Sequence, residues 1–362
     1  FQRNGPYSPQ ATHRLLEDYT ALIVPNTTRH LLQGHSDNVK CIAFVGAAGH
    51  LIASGSSDNT VRLWRSETGA AAALLTGHSS RIWDVASDLA GSTLASAASD
   101  GTVRLWDVRK ATMMVEQGGV LTGHSGDVYA TAFHPTGSYI ASGGYDRSVR
   151  VADTATGATI KVFAGQPSAT TGIGAANGMS GHALAVTSLA FTPMGNLCVS
   201  GSKDNTLRFF DLVSGLCVRT LASHLGEVTA VGVSPSGTYL VTASKDNANR
   251  IWDLRMLPRP VRRLKGHTNT AKNFVRAAFA GGGDGALVVG GSEDGRGYCW
   301  DRESGAVVQT LSGHRGIVYD VKWNAHQQLM ASCSDDHTVR TWAFDESQPM
   351  GERDLPARPS SS

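Results

Sequence analysis

The chain has 362 residues, 41% hydrophobic and 17% charged, enough apolar material for a large core and a composition that excludes a predominantly disordered chain. Lysine plus arginine total 32 against 30 acids, a net charge of +2, so no electrostatic drive toward nucleic acid or an anionic membrane surface is expected. No apolar run approaches the roughly 18 residues of a membrane-spanning helix. The five cysteines (Cys41, Cys198, Cys217, Cys299, Cys333) lie far apart without metal-type pairing and read as buried thiols of a reducing, intracellular compartment, cytoplasmic or nuclear.

In chain order, residues 1–27 read as an extension in which Ser8-Pro9 precedes a short helix, His13 to Tyr19, expected to pack on the rim of the fold. Thr28 to Gln33 reads as a strand with no partner strand before it. Gly34-His35 then opens a unit: a strand from Val39 to Phe44, a hairpin from Leu51 to Trp64 turning at Asp58-Asn59, and a further strand from Ala72 to Thr76. The unit recurs. A small residue and His stand together at Gly34-His35, Gly77-His78, Gly123-His124, Gly181-His182, Ser223-His224, Gly266-His267 and Gly313-His314, seven copies in all. An Asp follows the His by 22 residues in five copies (Asp100, Asp146, Asp204, Asp246, Asp336), by 23 at Asp58 and by 27 at Asp294. Six residues beyond each Asp stands Trp64, Trp106, Ala152, Phe210, Trp252, Trp300 or Trp342. Each copy supplies four strands and no helical period.

These His, Ser or Thr, Asp and Trp positions, with the Trp-Asp endings at Trp106-Asp107, Trp252-Asp253 and Trp300-Asp301, resemble the hydrogen-bonded tetrad of WD-repeat proteins, over about residues 28 to 343. The resemblance implies an all-β fold, one seven-bladed β-propeller of four-stranded antiparallel blades spanning 28–343. Thr28 to Gln33 supplies the strand that the seventh copy lacks, so the chain ends close the ring. Residues 344–362, with Pro349, Pro356 and Pro359, read as a disordered tail or linker. The tetrad is complete in copies one (His35, Ser54, Asp58, Trp64), two (His78, Ser96, Asp100, Trp106), five (His224, Thr242, Asp246, Trp252) and seven (His314, Ser332, Asp336, Trp342). Copies three, four and six depart from it at Ala152, Phe210 and Gly290, and those blades are expected to be less rigid.

A recurring Ser, His and Asp imitates a hydrolase triad, but seven copies at one local spacing mark a buried structural network instead. The other six histidines (His13, His30, His50, His134, His326, His337) have no ligand spacing, so no metal and no cofactor is expected. The insertion Gln166 to Ser180 carries Gly172-Ile173-Gly174 but Asn177 where a dinucleotide fingerprint needs glycine, and it reads as a flexible loop. No catalytic constellation remains.

The loops bearing the Asp turns open on one face of the disc, the face that in this family often takes peptides. Lys40, Arg81, Trp83, Tyr129, Tyr145, Lys203, Lys245 and Tyr319 point at its central mouth, and aromatic residues beside Arg have the composition of binding hot spots. Packing between blades is the competing role for Trp83 and the tyrosines. The sixth copy is longer between His267 and Phe279, so only Glu293 is placed there. A second candidate is the basic outer edge of the fifth blade (Arg255, Arg259, Arg262, Arg263, Lys265), either a guarded edge strand or a surface for an acidic partner. The expected function is a non-catalytic scaffold for protein partners, whether peptide segments or subunits of one complex, with no membrane, nucleic acid or small-molecule substrate implied. Trp106-Asp107-Val108-Arg109 and Trp252-Asp253-Leu254-Arg255 leave a cullin-RING substrate receptor as one alternative, and a ciliary or cytoskeletal subunit is another.

Overall fold

A computed structural model describes residues 27–343 except 111, 114–118, 165–180, 223, 271–272 and 283. The expected rim helix, the C-terminal tail and the glycine-rich insertion lie outside the described residues.

The described chain forms seven antiparallel sheets, each the unit read from the sequence. In the first, Val39–Val45, Leu51–Ser56, Val61–Arg65 and Ala71–Leu75 pair in chain order. The inner strands are rich in Ala, Ser, Gly and Val because both of their faces are covered. Thr93–Ala98 and Leu197–Ser202, for example, are buried at every position but the first. In every blade but the fifth the turn after the Asp is held by the carboxylate; in the first, Asp58 Oδ1 accepts from Thr60 N at 3.0 Å and from Thr60 Oγ1 at 2.7 Å. The residue between them, Asn59, takes φ +67°, the left-handed region that Asn tolerates.

Two blades depart from the plan. In the second, the outer strand is split into Thr112–Met113 and Val120–Leu121, both paired to Val103–Asp107. In the sixth, the two inner strands shrink to four residues each, Ala277–Ala280 and Leu287–Gly290.

Apolar clusters join one blade to the next. Cys41, Leu63 and Leu75 of the first pack against Ile82, Leu94 and Trp106 of the second. The seventh blade is built from both ends of the described chain. Thr27–Gln33 pairs antiparallel with Thr338–Ala343, from Thr27 opposite Ala343 to Gln33 opposite Thr338. Leu32, 2% exposed, enters the cluster that holds Trp64 of the first blade and Leu329 and Val339 of the seventh. Removing the strand uncovers an edge and an apolar seam together. Deletion of residues 28–33 is therefore expected to abolish the cooperative thermal transition seen by circular dichroism, and an unaltered transition would contradict closure by this strand.

Candidate functional site

The recurring polar residues form one network per blade. In the first, Trp64 Nε1 donates to Ser54 Oγ at 2.8 Å, Ser54 Oγ lies 2.8 Å from His35 Nε2, and His35 Nδ1 lies 2.8 Å from Asp58 Oδ2. A carboxylate only accepts, so Nδ1 carries the imidazole proton, Nε2 accepts, and the serine hydroxyl donates to it. Blades two and seven repeat these contacts within 2.7–2.9 Å. In blade five, Thr242 takes the serine's place while Arg250 also reaches His224 and Asp246, whose own separation lengthens to 3.4 Å. Blades three and four keep His, Ser and Asp without the indole (His124, Ser142, Asp146; His182, Ser200, Asp204). Phe210 fills its place in blade four by packing on Phe163, ring centroids 4.6 Å apart.

A fifth member of the unit stands four residues beyond the Asp: Arg62, Arg104, Arg150, Arg208, Arg250 and Arg340. It explains the glycine before the His in blades one, two, three and seven. A Cβ on Gly34 would lie 2.8 Å from Arg62 Nη1, and one on Gly313 the same distance from Arg340 Nη1. Blade six has Tyr298 at this position and Gly290 at the serine position. Tyr298 Oη there donates to Asp294 at 2.6 Å, Trp300 Nε1 turns to the Lys265 carbonyl at 2.8 Å, and both ring nitrogens of buried His267 have no hydrogen-bond partner among the described residues.

The mouth of the central channel is set by β-bulges. Between Val39 and Cys41, Ile82 and Asp84, Val128 and Ala130, Val186 and Ser188, Val228 and Ala230, and Val318 and Asp320, one residue is left out of register. Those residues are Lys40, Trp83, Tyr129, Thr187, Thr229 and Tyr319. Trp83 and Tyr129 meet Phe274, which the lengthened loop of blade six supplies. The three rings stand edge to face, with centroids 5.3, 5.5 and 5.6 Å apart. Lys203 Nζ lies 5.1 Å from the Tyr129 ring and 5.4 Å from Phe274; Lys245 lies 5.4 Å from Phe274, and Arg81 5.7 Å from Trp83.

Five of the eight residues singled out at the mouth thus converge on one aromatic trio. Lys40 and Tyr319 form a separate pair. Lys40 Nζ donates to the Tyr319 hydroxyl at 2.7 Å, and that hydroxyl donates to Asp335 at 2.6 Å. Tyr319 is 3% exposed, and burial followed by the Asp335 bond pushes its phenol far upward. Burial likewise raises Tyr129 to about 12. Tyr145, 62% exposed, stands apart on the turn of blade three.

Behind the trio the channel is crossed by an ion cluster. Arg276 of blade six bonds Asp84 of blade two, donates to the Trp83 carbonyl at 2.7 Å and lies 3.9 Å from Asp320 of blade seven. Asp84 also accepts from Thr131 N of blade three at 2.9 Å. Burial raises the Asp320 carboxyl, opposed by Lys322 and Arg276. Beyond the cluster a cavity of about 540 Å³ faces the opposite side of the disc, walled by Ala43, Ala86, Ala132 and Ala190. No cluster of His, Cys, Asp and Glu able to hold a metal occurs among the described residues.

The basic edge is the outer strand of blade five, Pro260–Leu264, with Arg259, Arg262, Arg263 and Lys265 exposed. Arg262 bonds the Glu303 carbonyl of the next blade, and Arg255 grips its own Asp253 with Nη2 to Oδ2 at 2.7 Å, which lowers that carboxyl to about 2. Arg109 likewise lies 3.8 Å from Asp107.

A family model described as WD domain, G-beta repeat matches residues 26–65, 71–107, 116–153, 176–211, 215–253 and 305–343. The chain belongs to the WD40 repeat family. The matches leave 254–304 uncovered, the blade in which Gly290 and Tyr298 replace the network. Among relatives, the chain is 42% identical over 163 residues to the U5 small nuclear ribonucleoprotein 40 kDa protein of Dictyostelium discoideum (44% of this chain, 45% of the relative). It is 42% identical over 86 residues to GID complex subunit 7 of Schizosaccharomyces pombe (24% and 17%) and 36% identical over 106 residues to the WD repeat-containing protein 26 homolog of Arabidopsis thaliana (29% and 18%). Each alignment thus spans less than half of the relative's own length.

Burial sets the charge states of the networks. It holds His78, His182 and His224 below the ordinary imidazole value and lowers His267 to about 4, while hydrogen bonds from His and Thr keep Asp58, Asp204 and Asp336 below the usual carboxylate range. The unfolded chain binds protons that these rings refuse, so the histidine contribution is complete above about pH 6.5 and is lost as pH falls; the aspartate contribution follows below about pH 4. His78→Leu, which strands Ser96 and Asp100, is expected to cost about 1–3 kcal/mol. His267→Leu strands nothing, so it should leave the melting temperature level or higher at neutral pH and reduce the loss on acidification. Thermal melts across that range check this, and equal destabilisation by the two substitutions would contradict it.

Proposed function

We propose that the chain is a non-catalytic interaction scaffold, a subunit of a larger intracellular assembly that takes partner segments on the face bearing the Asp turns. The observation that carries this is the trio of Trp83, Tyr129 and Phe274 at the channel mouth, ringed by Lys203, Lys245 and Arg81. Trp83 and Tyr129, fixed at bulges, and Phe274 pack edge to face beneath these cations, and aromatic and cationic side chains held in place this way present apolar area and charge at little entropic cost, the composition of interface hot spots. WD40 propellers are generally non-catalytic interaction scaffolds, and two relatives carry the names of complex subunits, GID complex subunit 7 and the U5 ribonucleoprotein 40 kDa protein. The five cysteines are free thiols and four are buried, which supports a reducing compartment. The recurring Ser, His and Asp are spent on one another and on the indoles, so they are not poised for acyl transfer.

Arg109 and Arg255 engage Asp107 and Asp253, and nothing further at either position favours the ligase-receptor alternative over the scaffold.

Affinity purification of the full chain with quantitative mass spectrometry tests the proposal. Trp83→Ala is expected to abolish capture of stoichiometric partners. Tyr145→Ala, at a side chain 62% exposed, is expected to reduce capture with no shift in melting temperature. A partner set unchanged in both variants, or turnover of a small molecule by the purified chain, would contradict it.

A further inference from the structure

The loop face is not uniform around the ring. The residue before the turn Asp is serine on blades one and two, then Tyr145, Lys203, Lys245, Glu293 and Asp335 on blades three to seven. The acids are already engaged within the fold. Glu293 Oε2 accepts from Thr270 N at 3.0 Å, and Asp335 accepts from Tyr319. Lys245 is bound to Glu227 at 2.8 Å. Lys203 is different, because its ammonium rests on the faces of Tyr129 and Phe274 and has no carboxylate within 4 Å among the described residues. Arg81, over Trp83 and exposed, has none either.

The same arc exposes apolar side chains, one on each of three consecutive blades: Tyr145 at 62%, Leu184 at 48% and Leu225 at 87%. Backbone pairing fixes where they stand. Tyr145 N donates to the Asp127 carbonyl at 2.8 Å, Lys203 N to Ala185 beside Leu184, and Ser244 Oγ to Gly226 beside Leu225. Apolar and cationic groups therefore alternate from blade three to blade five on one face, next to the aromatic trio.

We propose that blades two to five bind an acidic, apolar-rich peptide segment, with its aliphatic or aromatic side chains on Tyr145, Leu184 and Leu225 of blades three to five and its carboxylates on Lys203 of blade four and Arg81 of blade two. This rests on the loop face being the docking face. A basic segment is disfavoured because the cations of this arc would face it unpaired, while a purely polar acidic segment leaves the three apolar side chains in water. Carboxylates that meet Lys203 also compete with nothing in the fold, since it has no acidic partner to release.

The test is fluorescence anisotropy of the full chain with short labelled peptides. One repeats Glu-Leu-Asp-Phe; its matched forms replace the acids by Lys, or Leu and Phe by Ser. The acidic apolar peptide is expected to bind best and to weaken with added salt. Lys203→Glu and Leu225→Asp are each expected to weaken it about tenfold, with melting temperatures unchanged. Met194→Asp, at a side chain 87% exposed on a turn of the opposite side, is expected to have no effect. If a peptide of another composition binds best and is lost with the same two loop-face substitutions, the docking face stands and the acidic partner is overturned. Loss only with Met194→Asp overturns the docking face itself, and equal binding of all peptides, or of none, overturns the proposal.

Discussion

In four blades a single hydroxyl, that of Ser54, Ser96, Thr242 or Ser332, stands between an indole and an imidazole and serves both. It accepts from the tryptophan of the third strand and lies within hydrogen-bond distance of the histidine before the first, so one atom ties three parts of a blade together. The histidine in turn reaches the Asp of the turn, and in blades one, two and seven the Asp also holds that turn closed. Every member of the chain is buried or nearly so, in surroundings where an unmet polar atom costs about 1–3 kcal/mol. The spacing of the repeat, its left-handed turn residues and its glycine-His pairs all follow from keeping this chain of contacts intact.

Where the hydroxyl is missing, the fold is freer to vary. Blade six has Gly290 in its place, four-residue inner strands and a histidine whose ring nitrogens have no hydrogen-bond partner among the described residues. It also carries the loop that delivers Phe274 to the mouth and the strand entry that sends Arg276 across the channel to Asp84 and Asp320. The blade that contributes least to the repeating frame contributes most to the channel. Three blades are tied to one another there by a charge cluster, in addition to the apolar seam that joins blades six and seven. Such a cluster is well suited to fixing their relative positions, because moving any member strands a buried charge.

Much of this was legible in the residues. The regular His-to-Asp and Asp-to-Trp intervals placed seven four-stranded units, and Thr28 to Gln33 could be matched to the strand missing after Trp342 because the final copy ends without one. The mouth was legible where the register held: Trp83 and Tyr129 occupy the bulge position of their strands, as Lys40 and Tyr319 do. It failed where register was lost. Between His267 and Phe279 the added residues broke the count, so Phe274 and Arg276 had no assigned place. Position along a strand also says nothing of depth, and Tyr319 is withdrawn into the seam between blades seven and one. The recurring arginine four residues beyond each Asp was present in six copies, and its role appeared only once its guanidinium was seen against the glycine preceding the His.

Native-state hydrogen exchange tests most directly whether the hydroxyl-centred network governs rigidity around the ring. Indole protons of Trp64, Trp106, Trp252 and Trp342, each bonded to a tetrad hydroxyl, are expected to exchange only through global unfolding. Amides of Leu287–Gly290 in blade six should exchange through smaller openings, well before those of the equivalent strand Thr93–Ala98 in blade two. Uniform protection around the ring, or strongest protection in blade six, would contradict it.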